Sequence, residues 1–219
     1  MHFKITKKRI DVNLELFLGF CAASFGLALT PGPDNFYVLT IGLQQGFKRG
    51  LLATLGFVFG CLVHTLFLAL GLAALIQTNE TLLWAIKGFG AGYLLYLTYL
   101  TILTIKRKRK IAIEDRDEAV EGNMQLIFKT FSMNVLNPKV SLFFLAFFPG
   151  FLFHDELDVI VQFLILGLSF AFITLIVFGF IAFTAGRLKD YFENYQVHLL
   201  YVQVIVFVSI ALLILIPSS

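Results

Sequence analysis

Two charged side chains stand deep inside long apolar runs of this sequence, and each directly follows a proline: Asp34 in ALTPGPDNFY, residues 28 to 37, and Lys139 in MNVLNPKVS, residues 133 to 141. Counted at helical rise, back from Lys48 and forward from Lys129, both lie roughly 15 to 20 Å from the polar ends of their runs. A charge at the centre of a bilayer costs at least about 2.5 to 3.5 kcal/mol on insertion scales, so it is normally paired or functional. A carboxylate and an ammonium that share one cavity partly compensate each other and suit a zwitterion such as an amino acid. Asp34 would face its ammonium group and Lys139 its carboxylate. A buried carboxylate can also take up and release protons, which would couple movement of such a molecule to a proton gradient.

The prolines dictate the surroundings of both charges. Pro31 and Pro33 donate no backbone hydrogen bond and clash with the carbonyls of Leu27 and Leu29, and Pro138 does the same to the carbonyl of Asn134. Within hydrocarbon, backbone freed in this way is tolerated only where protein or a water-filled cavity surrounds it. The two breaks are therefore expected to face one shared cavity. The candidate substrate-binding or coupling residues are Thr30, Pro31, Gly32, Pro33, Asp34 and Asn35 from the first break, with Asn134, Asn137, Pro138 and Lys139 from the second; Ser141 continues the same side. Freed carbonyls would add to the ammonium site, and the positive N-terminal ends of the half-helices to the carboxylate site. A plainer reading stands beside each charge: Asp34 and Asn35 cap the helix after Pro33, and Lys139 snorkels to the interface.

The elements that carry these residues follow from composition. Of 219 residues 58% are hydrophobic and 14% charged, where a soluble domain carries about a quarter charged. Six apolar segments, each long enough to cross a bilayer, span about 14 to 43, 50 to 76, 82 to 105, 126 to 153, 158 to 185 and 197 to 217. The expected fold is an all-α integral membrane protein in a single domain. Paired interruptions at corresponding places signal a transporter built from repeats, here repeat 1 at about 14 to 105 and repeat 2 at about 126 to 217, joined by a linker at 106 to 125. Three segments per half make the repeats inverted, with helices 1 and 4 broken.

Charge gives the orientation. Lys48 and Arg49, then Lys106 to Lys110 with Arg116, then Arg187 and Lys189 follow segments 1, 3 and 5, while the connections after segments 2 and 4 hold no Lys or Arg. The first set is expected to face the cytoplasm, with the C-terminus outside. Lys4, Lys7, Lys8 and Arg9 conflict with this if segment 1 crosses once, and agree with it if that segment enters and returns on one side. KRKRK at 106 to 110 reads as an anchor to anionic lipid or as a topogenic stop signal. The N-terminal segment resembles a signal peptide, but Thr30 and Pro31 occupy the place of a cleavage site, so it reads as retained. The net charge of +3 sits in connections and is a topology signal, which excludes nucleic acid as a partner. Cys21 and Cys61 read as small buried hydrophobes with no disulfide or metal role, and no cofactor is implied.

Small residues recur at helical spacing: Gly19, Ala23, Gly26 and Thr30 in segment 1, Ala53, Gly56, Gly60, His64 and Gly71 in segment 2, Gly88, Gly92 and Tyr96 in segment 3. Such faces permit close helix contact, within one chain or in a homodimer. His64 has two readings, a proton relay or substrate contact and a hydrogen bond to a neighbouring helix. Lys87 is close enough to the outer end to snorkel, and His154 with Asp155, Glu156 and Asp158 reads as a solvated outer loop.

GLALTPGPDN, KRGLLATLGFVFGCLVH and MNVLNPKVSLFFLAFFPGF together resemble the lysine exporter family, the LysE/RhtB group of bacterial amino-acid efflux carriers, over essentially the whole chain. The resemblance implies a multi-pass exporter of the bacterial cytoplasmic (inner) membrane, driven by the proton gradient. By motif it carries over Thr30 to Asn35, Asn134, Asn137, Pro138 and Lys139. The family often has an acidic residue after the segment 2 glycines; here Cys61 follows Gly60, which leaves Asp34 as the main intramembrane acid. The expected function is a secondary transporter that exports amino acids or related zwitterionic metabolites by proton antiport, with no enzymatic activity. The 26 phenylalanines narrow cavities and would favour an apolar substrate side chain. The alternatives are an efflux carrier for a cation or another small metabolite, and behind it a non-transporting scaffold or enzyme. A cation carrier has no use for a mid-membrane lysine, and an enzyme would cluster catalytic residues that are not seen here.

Overall fold

The computed structural model describes residues 13–74, 80–107, 121–154 and 156–215. The N-terminal basic residues and most of the 106 to 125 linker, with all but the first two residues of its basic run, lie outside these. The described residues form helices and their connections, with no strand among them. The helices are α1 (Leu14–Leu29), α2 (Pro33–Gln45), α3 (Phe47–Phe67, continued by a π turn at Leu68–Leu72), α4 (Glu80–Lys106), α5 (Asn123–Val135), α6 (Pro138–Phe147, continued by a 3-10 turn at Phe148–Phe151), α7 (Val159–Phe183) and α8 (Ala185–Leu215). Among the described residues four helices are long and apolar enough to cross a membrane, and counting each of two bent pairs as one span brings the number to six.

Both bends fall where the prolines require them. α1 and α2 meet at 59°, α5 and α6 at 55°. Pro33 and Pro138 each open the second half-helix, where a missing N–H costs nothing. Gly46, at φ +83°, makes the turn from α2 into α3 with no residue to spare, a backbone conformation that side chains disfavour.

α3 is the hub, packed on α2, α5 and α7. Contacts cross between the chain halves in a reciprocal pattern: α1 packs on α7 as α5 packs on α3, and α4 packs on α8. The α3–α5 contact depends on absent side chains, because a methyl group added at Gly60 would lie 2.8 Å from Cγ of Asn134 and one at Gly56 would lie 2.9 Å from the Phe131 nitrogen. The segment 3 stripe behaves otherwise than its spacing suggests. Gly88 and Gly92 border open space, and the close approach is made by Gly90 against Ala146. Lys87 is 2% exposed, its ammonium 5.0 Å from the Trp84 ring; the aromatic face takes the place of the water that snorkelling would have reached.

The two ends of the bundle are tied differently. At the basic end Arg49 donates to Asn123 Oδ1 and to the Glu121 carbonyl, both at 2.6 Å. At the other end the Asn13 amide donates to the Phe153 carbonyl at 2.9 Å, and the Phe17 and Phe153 rings are 5.5 Å apart. Segment 1 thus crosses the bundle once, bent in the middle, and does not return to the end where it began. His154 does more than sit in solvent: its Nδ1 accepts the amides of Glu156 and Leu157 at 3.0 Å, while buried Gln162 on α7 bonds the backbone of the same loop through both ends of its amide.

The apolar interior is two clusters. One, at the Asn13 end, joins Phe20, Leu27, Cys61 and Phe170 to the phenylalanines of α6. The other, at the basic end, joins Ala28, Val38, Phe57 and Phe178. They part at the level of the two breaks.

Candidate functional site

Between the two apolar clusters lies a cavity of about 50 Å³ whose polar wall is Asp34, Asn35, Asn134, Asn137, Lys139 and Thr174. Gly32 and Pro33 complete the first break's share, and Leu27, Ala28, Cys61, Val140, Phe170 and Phe178 form the apolar wall. Each break reaches into the other. Asn137 donates from Nδ2 to both Asp34 carboxylate oxygens, at 3.2 and 3.3 Å. Lys139 extends back toward the first break, so that a methyl group added at Gly32 would lie 3.3 Å from its Nζ.

The local backbone explains why these side chains point inward. Asp34 occupies the first turn of α2, where the helix dipole stabilises a carboxylate. Lys139 occupies the first turn of α6, where the same effect opposes an ammonium. Asn137 caps α6, its Oδ1 accepting the Lys139 amide at 3.0 Å, which leaves its Nδ2 for Asp34. Asp34 and Lys139 form no ion pair within 4 Å, and Lys139 Nζ lies 5.2 Å from the Phe207 ring.

Of the carbonyls that the prolines free, those of Leu27 and Asn134 already accept a hydrogen bond, as does the neighbouring Ala28 carbonyl. Ala28 O accepts from Asn35 Nδ2 at 2.6 Å, Leu27 O from the Thr30 amide at 3.1 Å, and Asn134 O from the Asn137 amide at 3.0 Å and from His64 at 3.3 Å. Leu29, whose carbonyl Pro33 frees, does not line this cavity, so among its lining groups Asp34 is the acceptor with a full charge to offer an ammonium. His64 donates from Nε2, since a carbonyl only accepts. Its ring lines a separate cavity of about 410 Å³ with Ser141, and neither residue lines the one that holds Asp34. Thr30 bonds back to the Gly26 carbonyl at 2.9 Å, and Pro31 and Pro138 shape the breaks without lining the cavity.

Thr174 was invisible to sequence reading. It is 3% exposed, and its hydroxyl has no hydrogen-bond partner among the described residues. A threonine in an apolar helix usually bonds its own backbone, and only the fold shows that this one faces polar company.

At about 50 Å³ the cavity holds one or two waters, at about 30 Å³ each, and is far below the roughly 300 to 1,000 Å³ of small-molecule sites. In this conformation the site is too small to hold an amino acid. Toward the Asn13 end, Phe143, Phe144, Phe147, Phe148, Phe151, Phe20 and Phe170 fill the bundle, with neighbouring ring centroids as close as 4.3 to 5.5 Å.

A family model described as LysE type translocator matches residues 25–218. Among curated relatives, a leucine efflux protein of Enterobacter sp. (strain 638) is 28% identical over 178 residues, 81% of this chain and 83% of its own. A leucine efflux protein of Klebsiella pneumoniae is 27% identical over 81% of this chain and 82% of its own. An uncharacterized membrane protein of Pseudomonas aeruginosa is 30% identical over 77% and 78%. No solved structure matches.

Proposed function

The chain belongs to the LysE type translocator family, and from that premise we propose that it exports apolar α-amino acids of about leucine's size from the cytoplasm in exchange for protons. The observation that carries this reading is the closed cavity in which Asp34, held by Asn137, and Lys139 meet between apolar walls. The substrate's ammonium replaces the Asn137 amide at Asp34, its carboxylate neutralises Lys139 and the first turn of α6, and its side chain lies against Leu27, Val140, Phe170 and Phe178. Relatives named leucine efflux proteins support an apolar side chain.

One carboxylate serves an ammonium group or a proton, and that competition gives antiport. Asp34 gives up its proton as substrate arrives from the cytoplasm, and takes up another as substrate leaves outside. The basic end, with Arg49, Lys106 and Arg187, is the cytoplasmic one by charge, in an inner membrane. The reciprocal packing of the two halves supports two inverted repeats working as levers on the shared cavity. A cation carrier would place Lys139 against its own substrate, and nothing in this cavity calls for catalysis.

The test loads cells with leucine-containing dipeptide and follows leucine release, at matched membrane abundance, for the intact protein, Asp34→Asn and Lys139→Ala. Release by the intact protein is expected to exceed that of both variants about tenfold or more and to fall when the proton gradient is collapsed. Equal release from all three would remove the cavity from the transport path.

A further inference from the structure

A groove of about 390 Å³ lies beside the closed cavity and shares Gly32, Pro33 and Lys139 with it. It runs between α2, α4 and α8 from the first break to Thr104, near the basic end of α4. Its volume falls within the range of small-molecule sites.

Several polar groups along it keep hydrogen-bonding capacity that no described residue uses. Lys139 Nζ has no ion-pair partner among the described residues, and Phe207, also in the groove, holds it only through its ring. Gln203 lines the groove from α8 and is 9% exposed. Its amide makes no hydrogen bond among the described residues and opens onto the groove, free to meet a ligand there. Thr101 and Thr104 donate to the Leu97 and Leu100 carbonyls at 2.8 and 3.0 Å, which leaves their oxygens as acceptors. An ammonium and an amide suit a carboxylate, and two hydroxyl oxygens suit an amine.

We propose that this groove is a second substrate subsite on the cytoplasmic side, in which Lys139 and Gln203 hold the α-carboxylate of the amino acid before it passes Gly32 into the closed cavity. Lys139 borders both spaces, so it keeps hold of the carboxylate while the rest of the molecule moves. The subsite rests on the export reading for its orientation, but binding of a carboxylate there does not.

The experiment measures binding to the purified full chain in nanodiscs by calorimetry, with L-leucine, 4-methylpentanoate, which lacks the amine, and 3-methylbutylamine, which lacks the carboxylate. The intact protein is expected to bind 4-methylpentanoate, and Asp34→Asn at least as tightly because a neighbouring negative charge is gone, while Gln203→Leu weakens it about tenfold and Gln203→Glu more, by repulsion. In inverted vesicles Gln203→Leu should raise the KM for leucine and leave the maximal rate near that of the intact protein, and Gln203→Asn should recover part of the loss. Carboxylate binding that Gln203→Leu leaves unchanged, or no carboxylate binding by the intact protein, overturns the subsite. If 4-methylpentanoate binds with this dependence while no amino acid is exported, the subsite stands and the export reading falls. If leucine is exported and Gln203→Leu alters neither its KM nor carboxylate binding, the subsite alone falls.

Discussion

Asn137 sits between the two intramembrane charges and is tied to both, donating to Asp34 and accepting from the backbone of Lys139. Its removal leaves a buried carboxylate without its donor, and hydrogen bonds to charged groups contribute about 1.5 to 3 kcal/mol. Asn137→Leu is expected to lower the unfolding temperature in detergent and to cut export about tenfold; a variant as stable and active as the intact protein would show that Asp34 finds its support elsewhere. Asp34 and Lys139 were legible in the sequence because a charge at that depth is costly and must have a reason. Thr174 and Gln203 were not, because single polar residues in apolar helices are common and a missing partner is a property of three dimensions. His64 carried too little information to choose between its two readings, and the structure sets it on the Asn134 carbonyl, at the break that Pro138 creates.

The bent pairs are the elements most fully written in the chain, since proline forbids the hydrogen bonds that would keep them straight. Glycine stripes were read less well. Spacing shows which glycines share a face, and only the neighbouring helix shows whether anything packs there. Gly60 borders Asn134, whereas Gly88 borders open space. Gly60→Ala is therefore expected to push Asn134 and α5 aside at a cost of about 1 to 3 kcal/mol, while Gly88→Ala stays within about 0.5 kcal/mol of the intact protein. Thermal unfolding of the two variants, measured side by side, checks this, and equal stabilities would refute the close α3–α5 contact.

For the whole molecule, the two approaches to the site differ among the described residues. A groove approaches the site from the basic end, and stacked phenylalanines bar it from the other. With Cys21 and Cys61 replaced by alanine, Thr104→Cys should react with a membrane-impermeant thiol reagent from the cytoplasmic side, and Phe147→Cys should resist it from both sides. Rapid labelling of Phe147→Cys in the absence of substrate would mean that the outer path is open at rest. The single crossing of segment 1 belongs to this scale too, because sequence could count its length but not see where Asn13 meets Phe153.

The phenylalanine stack also has an electrical meaning. Each elementary charge that crosses a membrane at 100 mV dissipates about 2.3 kcal/mol, and a continuous file of water through the bundle would let charges do so unpaid by any cargo. Rings packed with centroids as close as 4.3 Å, beside a cavity of about 50 Å³, would interrupt such a file on the Asn13 side. A carrier that rests in this conformation would insulate the membrane as the lipid around it does.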